Sequence, residues 1–306
     1  MNILNKYLTT IVALLCSLTA SAQDFEVDGI YYNITSSTDL TVEVTCRENY
    51  SYSYDNEYSG AVTIPSTVTY NSKSYSVTSI GNDAFAYCSS LTSITIPESV
   101  TSIGSEAFAY CSSLTSITIP ESVTSIGNDA FAYCRSLTAI TIPENVTYIG
   151  NDAFAYCRSL TAIIVAKGNM KYDSRNDCNA IIETNDNNLI IGCSSTIIPE
   201  SVTSIESYAF YGCSSLTSIT IPESVTSIGE RAFFGCSSLT SITIPEGVKS
   251  IGESAFCWCD SLTSVTISEG VKSIENNAFR GCYCLTTIAI PESVTSIGSS
   301  AFEDCI

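Results

Sequence analysis

LTSITIPESVTSIGSEAFAYC, Leu91 to Cys111, is the stretch on which the fold turns. Leu91, Ile94 and Ile96 lead to Pro97, and Val100 and Ile103 lead to Gly104, a spacing that suits two short strands separated by turns. Beyond the glycine, Ala107, Phe108 and Cys111 fall three to four positions or fewer apart, which predicts one short helical turn with its apolar side inward. Strand, turn, strand and helical turn close one coil.

The same unit recurs with a step of 23 residues through Cys88, Cys111, Cys134 and Cys157, and again through Cys213, Cys236, Cys259, Cys282 and Cys305. The isoleucines from Ile80 to Ile297 and the phenylalanines from Phe85 to Phe302 keep that step, giving nine visible copies. The inward side chains of one coil gain too little burial to offset the ordering of its backbone. Coils must therefore stack, at about 4.8 Å each, with Ile on Ile and Phe on Phe.

The start of the chain has a different character. Met1 to Lys6 is followed by the almost uncharged run Tyr7 to Ala20 and by Ala20-Ser21-Ala22, the layout of a cleavable signal peptide cut between Ala22 and Gln23. A lipoprotein alternative would use Cys16, but Leu15 is too large for the small-residue position that such processing prefers. No later stretch reaches the roughly 18 apolar residues of a spanning helix. Removing Lys6 with the leader leaves 11 of the 12 basic residues against 31 acidic ones, about −20, so nucleic acid and anionic lipid are poor partners.

Three blocks carry a family resemblance: the repeated LTSITIPESVTSIG and AFAYC, the segment CNAIIETNDNNLIIGC from Cys178 to Cys193, and the lead-in VTIPSTVTYNSKSYSVTSIG ending at Gly81. With them the chain resembles the BspA-like leucine-rich repeats of bacterial and protist surface proteins over most of Phe25 to Ile306. The resemblance implies a right-handed leucine-rich repeat solenoid, mostly β, with a parallel sheet on its concave face built from the LTSITIP strands. It also implies a secreted or cell-surface, non-catalytic interaction protein that adheres to host or neighbouring-cell macromolecules of the extracellular-matrix type. Glu206 and Glu275 depart from the pattern by replacing the glycine of the second strand, and Ser268 by replacing the proline.

The expected organisation is a signal peptide over 1–22, an N-terminal β cap and lead-in hairpin over 23–76, and the solenoid over 77–306. Within the lead-in, Thr67 to Val77 alternates around Asn71-Ser72-Lys73-Ser74 as a hairpin does. Cys157 and Cys213 are 56 residues apart, two repeats plus ten, so an elaborated coil at about 165–191 interrupts the array. Its strands are predicted at Ala180-Ile181-Ile182 and Leu189-Ile190-Ile191 around Asn185 to Asn188, projecting as a hairpin. No polar cap follows Cys305, which raises an alternative role as an envelope spacer that self-associates end to end.

Candidate chemistry is sparse. The sequence has no histidine, which removes Ser-His-Asp and Cys-His catalysis. The glutamates Glu98, Glu121, Glu144, Glu200, Glu223, Glu246, Glu269 and Glu292 recur after the proline position, so they read as solvated turn residues and not as a catalytic pair. Nine cysteines share one apolar column and read as buried free thiols, whereas Cys178 and Cys193 flank the predicted hairpin and are a possible disulfide. Cys257 and Cys284 add too few ligands for zinc, and the acids and amides from Asp173 to Asn188 match no calcium loop, so no cofactor or metal is expected. The outward residues of the first strands, Ser93 and Thr95, Ser116 and Thr118, Thr141, Ser218 and Thr220, Ser241 and Thr243, Ser264 and Thr266, form a flat hydroxyl lattice. It reads either as ordinary strand surface or as a broad docking face for protein or glycan.

Overall fold

The computed structural model describes residues 23–47 and 58–305. The expected leader, 1–22, lies outside the described residues, and Gln23 is the first within them. The chain is nearly all strand and turn; among the described residues the one helical element is the 3₁₀ turn Arg175–Asp177.

Strand β1 (Phe25–Val27) pairs antiparallel with β2 (Ile30–Ser36), and β2 with β3 (Thr41–Thr45). Strand β4 (Gly60–Thr63) lies parallel to Leu91–Thr95 in the first full repeat. Strands β5 (Thr67–Tyr70) and β6 (Lys73–Ile80) form the lead-in hairpin, with Tyr70 opposite Lys73. Asn71 and Ser72 both have positive φ, 48° and 63°, as a tight two-residue hairpin turn requires. Strand β3 then runs parallel to β6, so the N-terminal meander continues the sheet that the repeats extend.

From Ile80 the coils stack in register. Ile80 pairs with Ile103, Ile103 with Ile126 and Ile126 with Ile149; later Ile205, Ile228, Ile251, Ile274 and Ile297 pair in the same way. The phenylalanine rings stack with them, at 5.1 Å and 5° for Phe85 on Phe108 and 5.1 Å and 4° for Phe233 on Phe256. Each ring is covered by its neighbours, which is the burial that one coil alone lacks.

The longer parallel ladders follow this second strand. On the LTSITIP face regular pairing is interrupted, with β4 joined to Leu91–Thr95, Ala139–Ile142 to Ala162–Val165, and Ser241–Ile244 to Ser264–Ile267. Between those pieces the backbone hydrogen bonds stretch, to 3.3 Å at Thr138 to Thr115 and at Thr240 to Thr217, against 2.9 Å at Gly104 to Ile80.

The expected helical turn is replaced by two tight corners. The residue before each Ala-Phe pair and the residue before each cysteine take positive φ, as at Asp83 (57°) and Tyr87 (60°) or Asp129 (52°) and Tyr133 (60°). Left-handed residues on both sides end any helix within a turn. The short segment between them instead hydrogen-bonds to the next coil, Phe85 N–H to Ala107 O and Tyr87 N–H to Ala109 O, forming a third ladder.

The departures at Glu206, Glu275 and Ser268 are accommodated locally. Glu206 follows the elaborated coil and accepts a hydrogen bond from the Ser204 hydroxyl at 2.7 Å. Glu275 accepts from Ser250 and Ser273. Ser268, where most coils have proline, donates its N–H to the Ile244 carbonyl at 3.2 Å.

The elaborated coil does not project. Ala180–Glu183 pairs antiparallel with Asn188–Gly192, as the residues predict, but Ala180, Ile181, Ile182 and Leu189 are fully buried. The hairpin is built into the stack, held on one side by Tyr172–Asp173 and on the other by Ser204–Ile205. Its apolar strands are too hydrophobic to stand in water. They divide the molecule between two cores: Ile181 packs with the N-terminal coils and Ile182 with the C-terminal ones.

Candidate functional site

The lattice is laid out by the alternation of the first strand. Leu91, Ile94 and Ile96 point inward, and the residues between them point out. Ser93, Thr95, Ser116, Thr118, Thr141, Ser218, Thr220, Ser241, Thr243, Ser264 and Thr266 are all exposed. Where strands pair they are in register, Ser241 beside Ser264 and Thr243 beside Thr266. Every member of the glutamate column is exposed as well, as solvated turn residues are, and Glu121 accepts a hydrogen bond from the Glu144 N–H at 3.2 Å.

The cysteine column is explained by its hydrogen bonds. Cys111, Cys134, Cys157, Cys236, Cys259, Cys282 and Cys305 each donate their thiol to the phenylalanine carbonyl of the preceding coil, at 3.1 to 3.3 Å. Burial pushes the Cys157 thiol up to about 12 and raises the thiol of Cys134. Cys178 and Cys193 are not joined. Their thiols are free and donate to different carbonyls, Ala180 and Asn179 respectively, which holds them in separate hydrogen-bonded positions.

Two concave features were not visible in the reading of single columns. The first is a cleft of about 410 Å³ at the junction of the two cores, between the coil of Tyr148 to Ala155 and that of Glu206 to Cys213. It exists because the elaborated coil supplies no complete rung there: the third ladder passes directly from Tyr156 N–H to Tyr211 O. Its rim carries the ion pair of Lys171 with Glu183, and Tyr208, whose hydroxyl accepts from Arg231 at 2.8 Å and donates to Glu230 at 3.1 Å. Inside it, Asp152 Oδ1 is buried and accepts no hydrogen bond from the protein. Burial pushes the Asp152 carboxyl up to about 6, with Asp129 adding to the rise and Arg231 opposing it.

The second feature lies outside the third ladder. Tyr87, Tyr110, Tyr133 and Tyr156 stack ring on ring at 4.3 to 4.5 Å. Their column then continues as Gly212, Gly235 and Trp258, and an open trough lies between Tyr156 and Trp258. The last coil, for its part, exposes Ile290 and Ile297, which inner coils hide under their successors.

A sequence model describing the BspA type leucine rich repeat region matches six copies here, over residues 67–181 and 188–306. The chain belongs to the BspA-type leucine-rich repeat family. Among solved structures, it is similar to a leucine rich cell surface protein of Faecalibacterium prausnitzii (29% identity, 92% of each chain, TM-score 0.49). It is also similar to a leucine-rich repeat protein of Bacteroides ovatus (27%, 92% of each chain, 0.46) and to the pneumococcal vaccine antigen PcpA (20%, 90% of this chain and 93% of that one, 0.45). No curated protein matches the sequence significantly. Family membership supports a protein-interaction role. Among the described residues no helix is long and apolar enough to cross a membrane.

Proposed function

We propose that this BspA-type protein is exported by its N-terminal signal peptide and acts at the cell surface as a non-catalytic adhesin, docking extracellular-matrix-type macromolecules on its first-strand face. The observation that carries the reading is the hydroxyl lattice: eleven Ser and Thr side chains stand exposed in two columns that follow the 23-residue step. The face is rich in hydroxyl groups, interrupted in the threonine column by exposed Ile164, beside Thr141, and Ile197, a mixture that suits broad contact with a macromolecular partner. The absence of histidine and the uniform exposure of the glutamate column support the non-catalytic part.

The test is binding of the mature chain to immobilised matrix proteins, with Thr118→Lys and Thr220→Lys as probes. Both positions are exposed, so the fold should survive, and binding should weaken roughly tenfold as a long cation breaks the flat face. Binding that is unchanged in both variants removes the first-strand face from the proposal.

A further inference from the structure

The column that precedes each cysteine holds tyrosine, tryptophan or aspartate in six coils and glycine in three. Backbone conformation does not explain the glycines. Tyr133 (60°), Trp258 (60°) and Asp304 (62°) take the same left-handed φ as Gly212 (70°) and Gly235 (69°), so the column accepts a side chain. Space explains Gly212, since a Cβ there would come within 2.4 Å of the Tyr156 ring that lies across it. At Gly235 no such obstacle exists. A Cβ would meet the Gly212 Cα at 3.7 Å and the Tyr156 hydroxyl at 3.9 Å, ordinary contacts that do not require glycine.

The result is a trough floored by Gly235, walled by Tyr156 at one end and by the half-exposed Trp258 at the other, with Phe234 beside it. Trp258 is backed by Gly281, where a Cβ would approach the indole to 3.1 Å, so the indole is supported from the side away from the trough. Polar groups converge on the same space. Arg158 sits 6.0 Å from the Tyr156 ring and makes no ion pair among the described residues. Asp260 Oδ1 is buried and accepts no hydrogen bond from the protein. Ser214, Ser237 and Ser238 complete the lining.

From this geometry we infer that the trough between Tyr156 and Trp258 is a carbohydrate subsite that takes one neutral pyranose ring. A pyranose offers a flat array of C–H groups to the indole and hydroxyl groups that both donate and accept. It therefore offers donors to the Asp260 carboxylate and acceptors to the Arg158 guanidinium, both in the lining, at the same time. An organic cation would suit the aromatic rings and Asp260 but would face the Arg158 guanidinium. The span between the two aromatic walls, two to three coil steps of about 4.8 Å, leaves room for one ring and its hydroxyls. This subsite lies on another face from the hydroxyl lattice and does not depend on it.

Trp258 is the only tryptophan in the sequence, so its emission reports on this trough alone. The experiment titrates the mature protein with methyl glucosides, galactosides and mannosides and with N-acetylglucosamine, and with tetramethylammonium as the cationic comparison. At least one pyranoside is expected to give a saturable change in Trp258 emission, unaltered by Thr118→Lys. Gly235→Tyr restores the column's own aromatic residue into the gap and should abolish the change. Asp260→Asn should weaken binding roughly tenfold, the usual effect of losing a charged hydrogen-bond partner. Arg158→Ala serves if Gly235→Tyr fails to fold, and should also weaken binding. The subsite is overturned if no pyranoside produces a saturable change, if binding persists in a folded Gly235→Tyr, or if tetramethylammonium binds and the sugars do not.

Discussion

At the scale of single residues, the columns show what each position demands of a side chain. Cysteine is small enough for a buried corner and still donates to a carbonyl, which neither alanine nor valine can do. Its burial keeps the thiolate form scarce, so an alkylating reagent applied to the native protein at pH 7.5 should modify exposed Cys284 first and leave Cys134 and Cys157 unlabelled until unfolding. Peptide mapping after timed quenching would show the order. Asp152 gives a second test. Its folded-state pKa, about 6, lies above the ordinary 3.8, so the protonated carboxyl favours the fold. That contribution is complete below pH 3.8 and is lost as pH rises through 6. Asp152→Asn should therefore melt about 2 °C above the parent at pH 8, roughly 1 kcal/mol for a partly exposed group, and should match it near pH 3.5. The cysteine column was legible in the sequence because it repeats. Asp152 was not, because its orphaned oxygen depends on a missing rung that only the three-dimensional stack reveals.

At the scale of elements, the repeat period fixed the strands well and the third side of the coil badly. The two strands and the lead-in hairpin follow from apolar spacing and from the polar run Asn71 to Ser74, of which Lys73 and Ser74 already belong to the second strand of the hairpin. The Ala-Phe-x-x-Cys spacing fits a helical turn equally well, and only the left-handed corners on either side exclude it. The hairpin of the elaborated coil was placed correctly in sequence but expected to project; the unbroken apolar run Ala180-Ile181-Ile182 was the available sign that both of its faces are covered. Glycines separate by the same physics. A Cβ at Gly127 would lie 2.4 Å from the Ser105 nitrogen, so Gly127→Ala should push neighbouring coils apart and cost about 1 to 3 kcal/mol, seen as a lower urea midpoint. Gly235→Ala meets only ordinary contacts and should stay within about 1 kcal/mol of the parent in the same measurement.

At the scale of the whole molecule, stability is a sum over neighbouring coils, and the weakest sum is at the junction. The second-strand ladder ends at Ile149 and resumes at Leu189 with Ile205, so the two cores communicate mainly through the buried hairpin. Ile181→Ala should cost about 2 to 5 kcal/mol and uncouple the N-terminal coils, splitting one calorimetric transition into two. A single transition at lower temperature would show that the halves remain one cooperative unit. Under the adhesive role proposed above, the same junction would carry load. The ladders run from coil to coil, so tension between the two ends pulls each interface open in turn, as a stack of coins separates before any coin bends. Where three ladders share the load an interface resists; at the junction fewer do, and the cleft beside Asp152 is already the start of a crack. An adhesin built this way would give slack at one chosen place, lengthening under pull while both halves stay folded.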